Sequence, residues 1–212
     1  MPVFHKLLKI YTMKNFLFVL LIALSSFSCN QITEPENTET SMNDVINDAL
    51  TEMENDTSVK SFSSPIRYND YIINLQTRVY EKIITLVKCF DTCDDKELRA
   101  SYADFGEEAI ATLKEIKRLG DYSGNTDFRD KATDLFAFYV EVYEGAYKEL
   151  IDIVISGKMD EKTEKKMNKI VEEVSEKETA LDNAFQIAQQ KFADENGMQI
   201  IENDLQKEID NL

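Results

Sequence analysis

The chain is short of several things, and each shortage narrows what it is. Its 212 residues include no tryptophan, three prolines, six glycines and one histidine. So few breakers leave long helices uninterrupted, and no Gly-rich phosphate loop appears. The lone histidine, His5, lies before or inside a segment with the grammar of a removable leader. Its loss excludes His-based triads, the usual zinc sites and the Glu-x-x-His motif of di-iron bundles. Cations are scarce as well: 24 Lys and Arg stand against 40 Asp and Glu, a formal charge of −16. Losing Lys6, Lys9 and Lys14 with the leader takes the 24 to 21 and the charge to −19. A field of that sign repels nucleic acid and anionic headgroups, and no basic aromatic patch overrides it. The plain meaning of the charge is solubility; the sharper one is a preference for basic partners or divalent cations. No nucleophile-base constellation, cofactor motif or metal-ligand spacing is present, so no catalytic residue, cofactor or metal ligand is assigned.

Long apolar runs are also missing. The longest, Phe16 to Leu24, has nine residues, which at ~1.5 Å each in a helix cannot cross a hydrocarbon core of ~30 Å. It stands after Lys14 and before the small-residue segment Ser25, Ser26, Phe27, Ser28 and then Cys29. That order of charge, apolar core and small residues predicts an export signal over residues 1–28, with Met13 as the expected initiator. The stretch Met13 to Cys29 resembles the lipobox leader of bacterial lipoproteins. The resemblance implies that Cys29 becomes the first mature residue and carries a diacylglycerol and an amide-linked acyl chain. It also implies anchorage in the cell envelope, on a lipid bilayer, because several acyl chains hold a protein where one does not. The alternative is a plain secreted protein, since Ser26-Phe27-Ser28 also fits the small-x-small rule of the general signal peptidase.

Roughly 180 residues follow, enough for one domain with a real core. Residues 29–64, rich in Ser, Thr, Asn and acids with Lys60 as their only cation, read as a flexible tether. Within it Met42, Val45, Ile46, Ala49, Leu50 and Met53 recur at helical spacing and predict one short, weakly docked helix.

Residues 65–212 then repeat one pattern. Tyr68, Ile72, Leu75, Val79, Ile83, Leu86 and Phe90 predict a helix from Ile66 to about Asp91, with Pro65 just inside its start. Leu98, Tyr102, Phe105, Ala109, Leu113 and Ile116 predict a second, from about Lys96 to Leu119, closed by Gly120. The third, Thr126 to about Ser156, has an apolar surface wide enough for cover on two sides. The fourth, about Asp160 to Asp194, carries Met167, Val171, Val174, Leu181, Phe185, Ala188 and Phe192 in four-three alternation. Past Gly197, Ile201, Leu205, Ile209 and Leu212 predict a short extra helix that covers the third or docks in a partner subunit of a homo-oligomer. Four amphipathic helices with short connections predict an all-α, up-down-up-down four-helix bundle.

Several residues stand out of this pattern. Cys89 and Cys93 are an even pair beyond the leader, which predicts a structural clip at the first hairpin; two free thiols are the alternative. On a continuous helix their Cβ atoms would lie ~5–6 Å apart, against the ~3.8 Å a disulfide needs, so the helix must end between them. Glu178 falls on the apolar seam of the fourth helix and needs a partner, the candidates being Arg78, Arg129, Tyr139 and Tyr143. A structural pair or a drift to water is one outcome, a polar ligand-binding point the other. Tyr139, Tyr143 and Tyr147 form a ladder four apart, most simply core with hydroxyls at the rim. Gly106 and Gly145 inside helices predict close contact or a slight bend.

The stretch Phe128 to Leu150 together with Lys177 to Ala193 resembles uncharacterised helical surface lipoproteins of bacteria. This implies an envelope location and no catalytic residue. The expected activity is therefore non-enzymatic binding of an unknown protein or small ligand. The competing classes are a metal-binding or enzymatic bundle that uses carboxylates alone, and an envelope chaperone or sensor.

Overall fold

A computed structural model of the chain describes residues 30–31 and 59–202. The leader with Cys29, most of the tether with its short helix, and residues 203–212 lie outside the described residues. The described chain is all-α apart from two isolated bridges, Lys60 with Leu119 and Tyr122 with Asn125, and one short pairing of strands. Asn30–Gln31 (β1) runs antiparallel to Ile201–Glu202 (β2).

Four helical rods make the fold. The first is α1 (Pro65–Thr92), with Ser64 as its N-cap and Pro65 in the first turn. The second is α2 (Asp95–Lys117), opened by a capping box in which Asp94 accepts from the Glu97 amide and the Glu97 side chain accepts from the Asp94 amide. The third starts as α3 (Asp127–Val142), passes through a π-helical turn (Tyr143–Tyr147) and continues as α4 (Lys148–Ser156). Gly157, at φ 65°, closes it in the left-handed conformation. The fourth is α5 (Glu161–Glu195), N-capped by Asp160. Antiparallel neighbours pack α1 on α2, α2 on α3 and α3 on α5. Ile72, Val79, Leu86, Phe105, Ala109, Ile116, Ala132, Leu135, Phe136 and Phe185 are fully buried at the centre. With α2 on one side of α3 and α5 on the other, the breadth of its apolar surface is accounted for: Phe136, Phe138 and Tyr147 are all buried.

Three boundaries depart from the sequence pattern, each for a local reason. α2 stops at Lys117 because the chain before α1 intervenes: Lys60 donates to the Arg118 carbonyl at 2.9 Å and accepts from the Gly120 amide at 2.8 Å. Residues 59–64 therefore belong to the folded body. Phe62 packs its ring against Tyr68 and Tyr71, and the Lys60 ammonium lies 4.2 Å from the centre of the Tyr71 ring. The extra C-terminal helix does not begin at Ile201, which is extended in β2; Gly197, at φ 66°, has already turned the chain out of α5.

Cys89 and Cys93 are joined by a disulfide with Cα atoms 4.8 Å apart. α1 ends at Thr92, and Cys93 takes an extended conformation while its amide still donates to the Cys89 carbonyl at 3.0 Å. A ring this small removes little chain entropy. Cys89→Ser with Cys93→Ser is expected to lower the unfolding free energy by no more than about 2 kcal/mol, leaving a cooperative thermal transition visible by circular dichroism.

Candidate functional site

The apolar seam of α5 is broken by polar residues that recur on one face: Glu178, Asp182, Gln186 and Gln189. Four- and three-residue steps place them along the side that looks at α1. On α1, Asn69, Gln76 and Tyr80 answer them. Gln189 Nε2 donates to Asn69 Oδ1 at 2.9 Å. Gln76 Nε2 donates to Asp182 Oδ1 at 3.3 Å, and Tyr80 Oη donates to the same oxygen at 3.0 Å. Gln76 also donates to Tyr80 Oη at 3.1 Å, while Gln186 donates to the other Asp182 oxygen. These bonds fix an antiparallel register in which Tyr80 stands level with Glu178, and Ile73, Ile84 and Val87 stand level with Phe185, Val174 and Val171. Polar layers thus sit between apolar ones. α1 and α5 also keep their backbones further apart than the other neighbouring rods, as long polar side chains meeting end to end require.

Glu178 and Asp182 are the chemical centre. Both are buried, at 3% and 4% exposure, one helical turn apart. Burial pushes the Glu178 carboxyl up to about 8; the neighbouring Asp182 charge adds to this and the Tyr139 hydroxyl offsets part of it. Burial likewise pushes Asp182 up to about 7, against the lowering effect of its bonds from Tyr80, Gln186 and Gln76. No Lys, Arg or His is among the groups that shift either carboxyl. The pair therefore keeps protons near neutral pH that ordinary carboxyls have lost. What it can do chemically is hold and exchange those protons and accept hydrogen bonds. Among the described residues no group of three or more His, Cys, Asp or Glu is placed to hold a metal ion.

Two tyrosines of the third rod complete the cluster, and the π-turn is what brings them together. Eight residues of unbroken α-helix, at ~100° each, would swing Tyr147 about 80° away from Tyr139. The slower rotation of a π-turn takes up that difference. Tyr139 and Tyr147 consequently both sense the Glu178 charge, and burial holds both hydroxyls well above their ordinary pKa. The Tyr139 hydroxyl faces Tyr80 and Glu178, yet this buried oxygen completes a well-formed hydrogen bond with neither.

The other expected partners of Glu178 lie elsewhere. Arg78 follows Gln76 by two residues, about 200° around α1, and points to α2, where it bridges Glu108 at 2.6 Å and Glu115 at 3.0 Å. Arg129 pairs with Asp130 at 2.8 Å and donates to the Leu119 carbonyl. Tyr143 leaves the ladder altogether: its ring stacks on Tyr102 with centroids 4.7 Å apart, and Tyr102 Oη donates to its carbonyl at 2.6 Å. Of the named candidates only Tyr139 reaches Glu178. Asp182, Gln76 and Tyr80 were not foreseen, although the spacing of Gln76 and Tyr80, and of Glu178, Asp182 and Gln186, is the signal that two polar stripes would meet.

Among the described residues no helix is long and apolar enough to cross a membrane. No protein-family model matches this chain, and neither does any curated protein or solved structure.

Proposed function

We propose that this chain is an acylated, membrane-tethered helical bundle that works as a non-enzymatic binding module in a bacterial cell envelope. The observation that carries the proposal is the leader, Lys14, the apolar run Phe16 to Leu24, small residues and Cys29. The segment after Cys29, rich in Ser, Thr, Asn and acids, supports it by composition, which is that of a solvated tether. The entry point of that segment adds an orientation. Lys60 and Phe62 fasten the chain at the end of the bundle that holds the start of α1 and the α2–α3 loop. The disulfide-closed turn between α1 and α2 then faces away from the anchor, about 40 Å off by the length of α1.

Incorporation of radiolabelled fatty acid into wild type and Cys29→Ala, combined with cell fractionation, tests this. Label and membrane association in the wild type, both lost in Cys29→Ala, are the expected result. Label retained by Cys29→Ala, or intact leader on protein from the cytosol, overturns it. The second reading is a bundle that holds metal or catalyses with carboxylates alone, and the buried pair Glu178 and Asp182 is what favours it. A stoichiometric transition metal in elemental analysis of the purified protein would select that reading.

A further inference from the structure

We propose that the α1–α5 seam is a proton-operated latch, closed while Glu178 and Asp182 hold protons and loosened when both are ionised. The placement of charge motivates this. Two carboxyls one turn apart on α5 are buried together, and the described groups facing them carry no positive charge: Gln76 and Tyr80 from α1, Tyr139 from α3, Tyr147 from the π-turn and Gln186 from α5 itself. Two anions in that position repel each other and have lost their water, so full ionisation favours any motion that readmits solvent.

The architecture says where the motion occurs. α5 is held to α3 by apolar packing that includes Phe185 and Phe192 on Phe128. Against α1 it stands further off, and its contacts there among the described residues include the hydrogen bonds of Asp182 and Gln189 and the Phe192 ring on Tyr68. The α1–α5 seam therefore separates before the α3–α5 interface does. Opening it bares the apolar layers on either side, Ile73, Ile84 and Val87 on α1 with Val171, Val174 and Phe185 on α5. The Tyr139 hydroxyl, close to both Glu178 and Tyr80 and without a completed hydrogen bond, is placed to bond a water admitted when the seam opens.

Hydrogen exchange read by mass spectrometry on the whole mature chain tests the latch, between pH 6 and pH 9 and corrected for intrinsic exchange. Protection of α5 amides around 174–189 and of facing α1 amides is expected to fall by at least about tenfold, with the α2–α3 interface unchanged. In Glu178→Gln combined with Asp182→Asn, which keeps shape and removes both charges, protection is expected to stay flat. A flat wild type, or an equal fall in the double variant, overturns the proposal. Carboxyl carbon NMR of the wild type supplies a measurement that needs no variant. Titration of Glu178 and Asp182 over the pH range in which protection is lost supports the latch, and titration of both near pH 4 overturns it.

Discussion

Asp182→Leu is expected to lower the unfolding free energy by about 2–4 kcal/mol, whereas Glu178→Leu, one turn away, is expected to be neutral or to raise it by about 1–2 kcal/mol. Both positions are buried carboxyls, and their different bonding sets the different signs. Asp182 accepts from Gln76 and Tyr80 on the far side of the seam, two buried donors that a leucine would leave without that acceptor. Each such loss costs about 1–3 kcal/mol. Asp182→Asn, which keeps one acceptor oxygen, is expected to recover part of the loss. Among the described residues the hydrogen-bonding neighbour of Glu178 is the imperfectly placed Tyr139 hydroxyl, so an apolar side chain of similar volume removes a desolvated acid and strands little. Urea denaturation of the two variants at pH 7 checks the contrast, and equal destabilisation by both would refute it.

The same pair sets the direction of the pH dependence. Folding raises both carboxyls above their unfolded values, Glu178 to about 8 and Asp182 to about 7. The folded chain then binds more protons than the unfolded chain between about pH 4 and pH 8. The pair's contribution is therefore fully present below about pH 4 and is lost as pH rises through 7 and 8. Wild-type stability is expected to fall from pH 5 to pH 9, on the order of several kcal/mol at 1.36 kcal/mol per pKa unit. Glu178→Leu is expected to flatten the upper part of that slope.

Gly106→Ala is expected to destabilise by about 1–3 kcal/mol, although alanine is the better helix former. A Cβ on Gly106 would run into the Tyr143 ring. The ring has little room to retreat, because Tyr102 stacks on it at 4.7 Å and Phe105 meets it edge-on at 6.2 Å. Gly145 provides the control. It lies inside the π-turn with open space around a would-be Cβ, so Gly145→Ala is expected to be neutral or to stabilise by up to about 1 kcal/mol. Thermal unfolding of the two variants side by side decides the matter. Tyr143→Ala placed in the Gly106→Ala background is expected to relieve the clash, with a coupling energy that neither single variant predicts.

The helices were legible because each buries one stripe, and a stripe is a local pattern: Tyr68, Ile72, Leu75 and Val79 announce α1 without reference to any other part of the chain. The caps were legible for the same reason, as with Pro65 and Gly157. The polar cluster was half legible. Glu178 stood out against apolar neighbours, but Asp182 did not, since an acidic residue at that step also suits a solvated face. Only the register between α5 and α1 turns it inward. Arg78 looked like the natural partner by charge, yet its angle around α1 gives it to Glu108 and Glu115 on α2. The π-turn had no pattern of its own: Tyr143, Glu144, Gly145, Ala146 and Tyr147 fit an α-helix equally well.

By itself the sequence determined the fold class, the four long rods, the chain's acidity and the expectation of an exported, acylated start. Those properties depend on periodicity, composition and short-range order, which a linear chain already contains. Tertiary structure alone decided that two acids on one helix share a buried layer with Gln76 and Tyr80 of another. It also decided that one tyrosine of a ladder of three turns away to sit over Gly106. Such facts depend on how far around and along each rod meets its neighbour, and a rotation of a few tens of degrees would have reassigned every partner without altering a single helix.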